Sequence, residues 1–227
     1  MPAQTMENTV KTADLDVDLK RRSDLHLARK IWHMVGVSIM AAFYAYAPET
    51  WSLTILMVSF FLFVPLDFAR QRSKTLNDLM ILFFKPIMRQ SEVNKLAGTT
   101  FLITGTMIVA CLFPRDVVLL TLLFLAFADP VASYFGIRFG KDKIFGEKSL
   151  QGSLAAFFVC TIVTYLFLNF NGLLLERILI VSLIGGLIGA LAELIPIWKL
   201  DDNLTLPVLS ASALWLVFSL FGAFAAY

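Results

Sequence analysis

One acid constrains this chain more than any other residue. Asp129 lies within an apolar run over 117–135 and is followed by a basic, glycine-punctuated segment ending at Lys148 and Ser149. An ionisable side chain in a membrane helix costs roughly 2.5–3.5 kcal/mol on insertion scales, so its default reading is a functional site. The surroundings do belong to a membrane: 58% of the 227 residues are hydrophobic and 16% charged, far outside the range of an ordinary soluble domain. A spanning helix needs about 20 mostly apolar residues. The chain divides into about seven such segments, near 33–48, 51–68, 97–114, 116–136, 150–168, 176–196 and 205–226. The expected fold is therefore all-α and polytopic, with a polar N-terminal arm over 1–28 and one transmembrane domain over 29–227. The arm has no apolar core of the kind a cleavable signal requires.

Charge distribution sets the orientation. Lys and Arg crowd before the first segment, between the second and third, and between the fourth and fifth, whereas the opposite loops hold Arg115 and Arg177. Basic short loops stay in the cytoplasm, which places the N-terminus inside. The same choice brings His33, Glu92, Asp129, Glu193 and the run Asp201, Asp202, Asn203 near the cytoplasmic face. The net charge of +2 and the lack of aromatic-basic interleaving exclude nucleic acid as a partner. Cys111 and Cys160 fall within apolar segments as packing residues. Residues 75–89 are apolar but too short to span, and suit an interfacial or re-entrant helix beside a lipid access path, or a surface connector.

Around Asp129 the residues follow helical spacing. Asp129 and Ser133 share a face, as do Gly136 and Gly140, and Pro130 removes one helical hydrogen bond. Read alone, Gly-x-x-x-Gly marks helix packing; beside an acid and a basic loop with Lys141 it also admits a phosphate. Lys148, Ser149, Gly152 and Ser153 open the fifth segment, where free backbone amides, an ammonium and hydroxyls form an anion-binding corner or an ordinary capped, positively anchored helix start. Glu193 with Asp201, Asp202 and Asn203 supplies hard oxygen ligands that suit Mg²⁺, although Asp201 and Asp202 also fit a helix-capping turn. Arg29, Lys30 and His33 read as an anion clamp or a snorkelling anchor.

Taken in order, Arg29-Lys30-x-x-His33, Asp129-x-x-Ala132-Ser133-x-x-Gly136-x-x-x-Gly140-Lys141, Lys148-Ser149-x-x-Gly152-Ser153 and Glu193-(x)7-Asp201-Asp202-Asn203-Leu204-x-x-Pro207 resemble the polyprenol kinase family, which includes dolichol kinase, phytol kinase and CTP-dependent diacylglycerol kinase. Glu92 also matches a family position. The resemblance implies γ-phosphoryl transfer from CTP or UTP to a lipid alcohol. Residues 129–152 are also similar to phosphatidate cytidylyltransferase, whose Pro-Gly-His-Gly-Gly motif is missing here. On this basis Asp129, with one or more of Glu193, Asp201 and Asp202, is expected to hold Mg²⁺. Lys141 and Lys148 would neutralise phosphate, Arg29, Lys30 and His33 would close the rim, and Asp202 would orient the lipid hydroxyl. A CDP-lipid synthase and a small cation transporter are the competing readings. The small-residue face Gly185-x-x-x-Gly189 permits a homodimer.

Overall fold

The computed structural model describes residues 27–198 and 200–224, so the expected polar arm lies almost wholly outside the described residues, as does Lys199. Among the described residues eight α-helices follow one another: α1 (Leu27–Tyr46), α2 (Glu49–Arg72), α3 (Lys74–Phe84), α4 (Gly98–Leu112), α5 (Arg115–Phe139), α6 (Leu150–Asn171), α7 (Ile178–Leu194) and α8 (Asp202–Leu220). Between α5 and α6 the chain forms a small antiparallel hairpin, β1 (Lys143–Phe145) and β2 (Lys148–Ser149), which the sequence reading did not include. Gly146 turns this hairpin with φ +54°, a left-handed conformation that costs glycine little.

Every apolar segment expected from the sequence is a helix. Pro48 and Pro114 stand at the N-caps of α2 and α5, while Pro65, Pro130 and Pro207 are accommodated inside helices. Among the described residues five helices are long and apolar enough to cross a membrane: α2, α5, α6, α8, and α7 together with the turn before it. The chain is an all-α, multi-pass membrane protein. Outside that set fall α4, with 15 residues, and α1, whose first two turns carry Arg29, Lys30 and His33. At 11 residues, α3 is about 16 Å long, too short to span, and exposes Leu79, Leu82 and Phe83.

The axis of the bundle is α5. Val117, Val118, Leu120, Leu122, Phe124, Leu125, Ala126 and Ala128 are each 1% exposed or less, surrounded by α1, α4, α6, α7 and α8. In lipid, apolar burial between helices gains little over contact with acyl chains, and close approach of backbones drives association instead. Glycines provide that approach. A Cβ on Gly185 would lie 2.5 Å from Thr164 Oγ1, and one on Gly189 would lie 2.8 Å from Cys160 Cβ. The Gly185 and Gly189 face is therefore consumed by α6 of the same chain, which corrects the expectation that it is available for a homodimer. Cys160 is a buried packing residue, whereas Cys111 is exposed on α4.

Polar contacts fix the helix directions. The first turns of α1, α4, α6 and α8 meet the last turns of α2 and α7 at one end, as the contacts described below show. At the other end the Arg115 guanidinium, opening α5, donates to the carbonyls of Tyr44 and Ala45 at the end of α1, at 2.9 and 2.7 Å. Arg177, just before α7, lies over the Phe221 ring that follows α8.

Candidate active site

Three acids from three helices meet at the first of these ends. Asp129 turns inward from α5, Glu193 comes from the last turn of α7, and Asp202 opens α8. They offer carboxylate oxygens within 4.8 Å of one another, the arrangement of a metal site. Lys148, at the end of the hairpin, reaches into the group, with Nζ 2.5 Å from Glu193 Oε1 and 3.1 Å from Asp202 Oδ2. Burial works against the Lys148 charge, yet the two carboxylates outweigh it and hold the ammonium protonated well above the ordinary lysine range. Lys148 contacts two of the three acids. Glu193 is 4% exposed and its Oε2 is buried with no hydrogen-bond partner among the described residues. A buried unpaired carboxylate oxygen costs several kcal/mol in principle. Three clustered hard oxygen donors and one orphaned oxygen together fit a divalent cation such as Mg²⁺.

Beside the acids is a cavity of about 40 Å³ lined by Arg29, Lys30, His33, Arg89, Asp129 and Ser133, with Asp201, Asp202 and Asn203 on the far wall. That volume holds on the order of three waters, so most of any nucleotide must lie outside it. The Lys30 ammonium donates to Ser133 Oγ, tying the first turns of α1 to α5. His33 Nε2 is 3.0 Å from the Leu125 carbonyl and 3.8 Å from Asp129 Oδ2. A carbonyl only accepts, so Nε2 carries the proton and donates it to Leu125, with the Asp129 carboxylate beside the ring.

Other sequence candidates occupy supporting positions. Asp201 is the N-cap of α8 and accepts from the Asn203 amide at 3.0 Å. It lies at the cavity wall outside the three-acid group, and burial raises its carboxyl above the ordinary range against the pull of that hydrogen bond. Asn203 donates through Nδ2 to the Gly98 carbonyl at 3.2 Å, joining α8 to α4, and is likewise not among the clustered oxygens. Ser149 caps α6 by accepting from the Gly152 amide at 3.3 Å, and Ser153 donates to the Ser149 carbonyl at 3.1 Å. A Cβ on Gly140 would lie 2.6 Å from Ser149 Oγ, and one on Gly152 would lie 2.8 Å from the Ala132 carbonyl. These glycines, with Gly136, let α5 and α6 come into close contact, and all three have Ser149 Oγ among their near neighbours. Lys141 is exposed before β1, with its amide 3.2 Å from Gln151 Oε1, and does not line the cavity.

Glu92 has a definite place. Its oxygens accept from both terminal nitrogens of Arg29 at 2.8 Å, from the Arg89 amide at 2.9 Å and from the Gly98 amide at 3.0 Å. Burial opposes its charge, but the Arg29 pair and the two amides prevail and keep the carboxyl below its ordinary value. This carboxylate positions Arg29 and the start of α4. Sequence reasoning missed a second buried network next to it. Asp67 accepts from Arg70 Nε at 2.5 Å, the Thr100 hydroxyl at 2.5 Å and the Ala97 amide at 2.8 Å. Arg70 also donates to Asn77 at 2.8 Å and to the Glu92 and Lys95 carbonyls at 3.0 and 2.7 Å. The available signal was an acid, Asp67, at the end of an apolar helix with an arginine one turn on. Arg89, three residues before Glu92, was read only as part of a basic loop, although it lines the cavity.

Comparison with known proteins places this geometry. A sequence model described as the cytidylyltransferase family matches residues 17–226. The chain belongs to that family. It is 40% identical over 142 residues to the CTP-dependent diacylglycerol kinase 1 of Schizosaccharomyces pombe, a match covering 58% of this chain and 65% of that protein. It is 29% identical over 211 residues to the CTP-dependent diacylglycerol kinase 1 of Saccharomyces cerevisiae, covering 82% and 71% of the two chains. An uncharacterized Rickettsia prowazekii protein, RP860, is 29% identical over 206 residues, covering 88% and 94%. The chain thus spans slightly less than two thirds of the first of these relatives. No solved structure matches it.

Proposed function

We propose that this protein is a CTP-dependent lipid-alcohol kinase whose reaction centre is the group Asp129, Glu193, Asp202 and Lys148. The observation that carries the reading is the orphaned, buried Glu193 oxygen beside two further acids, next to a cavity rimmed by Arg29, Lys30 and His33. The names of the yeast relatives support CTP as donor and a diacylglycerol as acceptor. UTP, polyprenols and phytol-like alcohols are the alternatives that the polyprenol kinase resemblance implies.

The acceptor hydroxyl oxygen attacks the γ-phosphorus, the bond from that phosphorus to the β,γ-bridging oxygen breaks, and CDP leaves. Asp129 and Glu193 would hold Mg²⁺, which when bound supplies charge neutralisation at the triphosphate. Asp202, at the cavity wall and 22% exposed in its side chain, orients the hydroxyl and takes its proton. Lys148 offsets charge on the departing phosphate, and Arg29, Lys30 and His33 face the phosphates from α1. Such transfers depend mainly on positioning and electrostatics, which a preorganised ring of this kind delivers. By the basic-loop rule this end of the bundle faces the cytoplasm, with seven helices crossing and the N-terminus inside.

A second reading, formation of a CDP-lipid from phosphatidate, is favoured by the description of the family itself. A transport role is disfavoured because the acids gather at one end rather than along a path across the bundle. Purified protein with Mg²⁺ and CTP labelled in parallel at the α and γ phosphates separates these readings. The acceptors would be diacylglycerol, a polyprenol, phytol and phosphatidate. Label in a lipid alcohol from the γ position alone is expected. Label from the α position in phosphatidate would replace the kinase with the synthase, and transfer from neither position would contradict both.

A further inference from the structure

A second, larger cavity of about 580 Å³ lies between α1, α2 and α4, within the range of small-molecule sites. Its walls are apolar along most of their length, with Val37, Met40, Phe43, Leu56, Phe63 and Ile103 among them. The helices α1 and α2 stand apart here, in contrast to the close glycine seam between α6 and α7. Three residues of its wall, Arg29, His33 and Asn203, also line the small polar cavity beside the acids. The two spaces therefore share one boundary, polar on one side and hydrocarbon-like on the other.

We infer that the α1–α2–α4 cavity is the acceptor's own site: one acyl chain of a glyceride lies inside the protein, with its hydroxyl end held at Arg29, His33 and Asn203. The inference rests on the kinase reading for its choice of ligand, and adds where the ligand lies and what limits its length. The wall residues Arg29 and Tyr44 are fifteen apart on α1, so the cavity runs about 22 Å along the helix axis. That exceeds the roughly 15 Å thickness of one hydrocarbon leaflet and accommodates a long acyl chain laid along α1. The polar end has its charges already matched, with Arg29 paired to Glu92 at 2.8 Å, so an uncharged hydroxyl is accepted there without leaving an ion unpaired. The acids of the reaction centre begin on the other side of the same three residues.

Gly36 gives the test. It lines the cavity seven residues from Arg29, about 10 Å along the helix, and a Cβ added there meets nothing within 4 Å. Gly36→Trp projects a large ring from a position where the Cβ itself meets nothing, and has better helix propensity than glycine. For the wild-type protein, kcat/KM is expected to rise from dibutyrylglycerol, whose chains end short of Gly36, to dioleoylglycerol. In Gly36→Trp, kcat/KM for dioleoylglycerol should fall by about tenfold or more, the size expected when one large group is excluded from an apolar pocket. Dibutyrylglycerol and the KM for CTP should stay within about twofold of wild type, and Gly36→Ala should keep the original profile. Equal loss on both chain lengths, or an unchanged profile, would overturn the inference. Equilibrium binding of the two labelled glycerides to wild type and Gly36→Trp reads the same preference without turnover. If no variant transfers phosphate but the binding profile shifts as stated, the kinase reading fails while the lipid site stands; an unshifted binding profile removes the site.

Discussion

Two buried ionic networks sit side by side at the same end of this bundle, and they are built to opposite rules. In the first, Asp67, Arg70, Asn77, Glu92 and Arg29 join α1, α2, α3 and α4, and each carboxylate oxygen has at least one donor. In the second, Asp129, Glu193 and Asp202 crowd around one lysine and leave a Glu193 oxygen without a partner. In a closed network every carboxylate oxygen is committed to a protein donor, and the carboxylates fix backbone geometry. An open one stores unfavourable charge that a cation or phosphate-bound cation relieves. Burial alone does not separate them, since Asp67 and Glu193 are 6% and 4% exposed. The separation comes from counting donors.

The largest expected effect is on chemistry. Asp129→Asn or Glu193→Gln should lower kcat by about a thousandfold, the scale of losing a group that stabilises transition-state charge, with little change in thermal midpoint. Asp67→Asn should do the reverse, reducing the yield of folded protein while activity per folded molecule is kept; purified, active-site-titrated samples distinguish the two. Next comes Arg70→Met, which strands Asp67 and should cost about 3–5 kcal/mol of stability, read from denaturation in detergent. A smaller effect is expected for Lys148→Ala. Without its ammonium the three acids repel each other, so millimolar Mg²⁺ should raise the thermal midpoint of this variant more than that of wild type; an equal response would remove Lys148 from the cluster's charge balance. The smallest is a pH effect. Because Glu92 is held below its ordinary value of 4.5, its contribution to stability is complete above that value and is lost as pH falls through the lowered pKa. Glu92→Gln should therefore flatten the acid limb of the stability curve and leave the neutral region parallel to wild type.

The sequence carried the helices and most of the open network. Apolar runs of membrane length place α2 and α5 to within a few residues, and an acid in an apolar run is conspicuous at Asp129 and Glu193. The closed network was less legible. Arg70 looks like one of several basic loop residues, and only the antiparallel packing of α2 on α4 turns it towards Lys95 and Glu92. Asp201 and Asp202 are adjacent and equivalent in sequence. The helix start distinguishes them, since the N-cap aims Asp201 at its own backbone and frees Asp202 for Lys148. The glycine faces were read by spacing, but spacing does not say which helix they meet. Gly185 and Gly189 meet α6 of the same chain because α6 and α7 are consecutive and antiparallel. The α1–α2–α4 cavity had no sequence signature, being a property of how far apart two bulky helices stand.

The most direct test of the open network is equilibrium binding of CTP to the detergent-solubilised protein at increasing Mg²⁺, for wild type and Glu193→Gln in parallel. Binding that appears with Mg²⁺ in wild type and weakens at least tenfold in Glu193→Gln is the expected result. Binding that ignores Mg²⁺, or survives intact in Glu193→Gln, would contradict the assignment of these acids to the reaction centre.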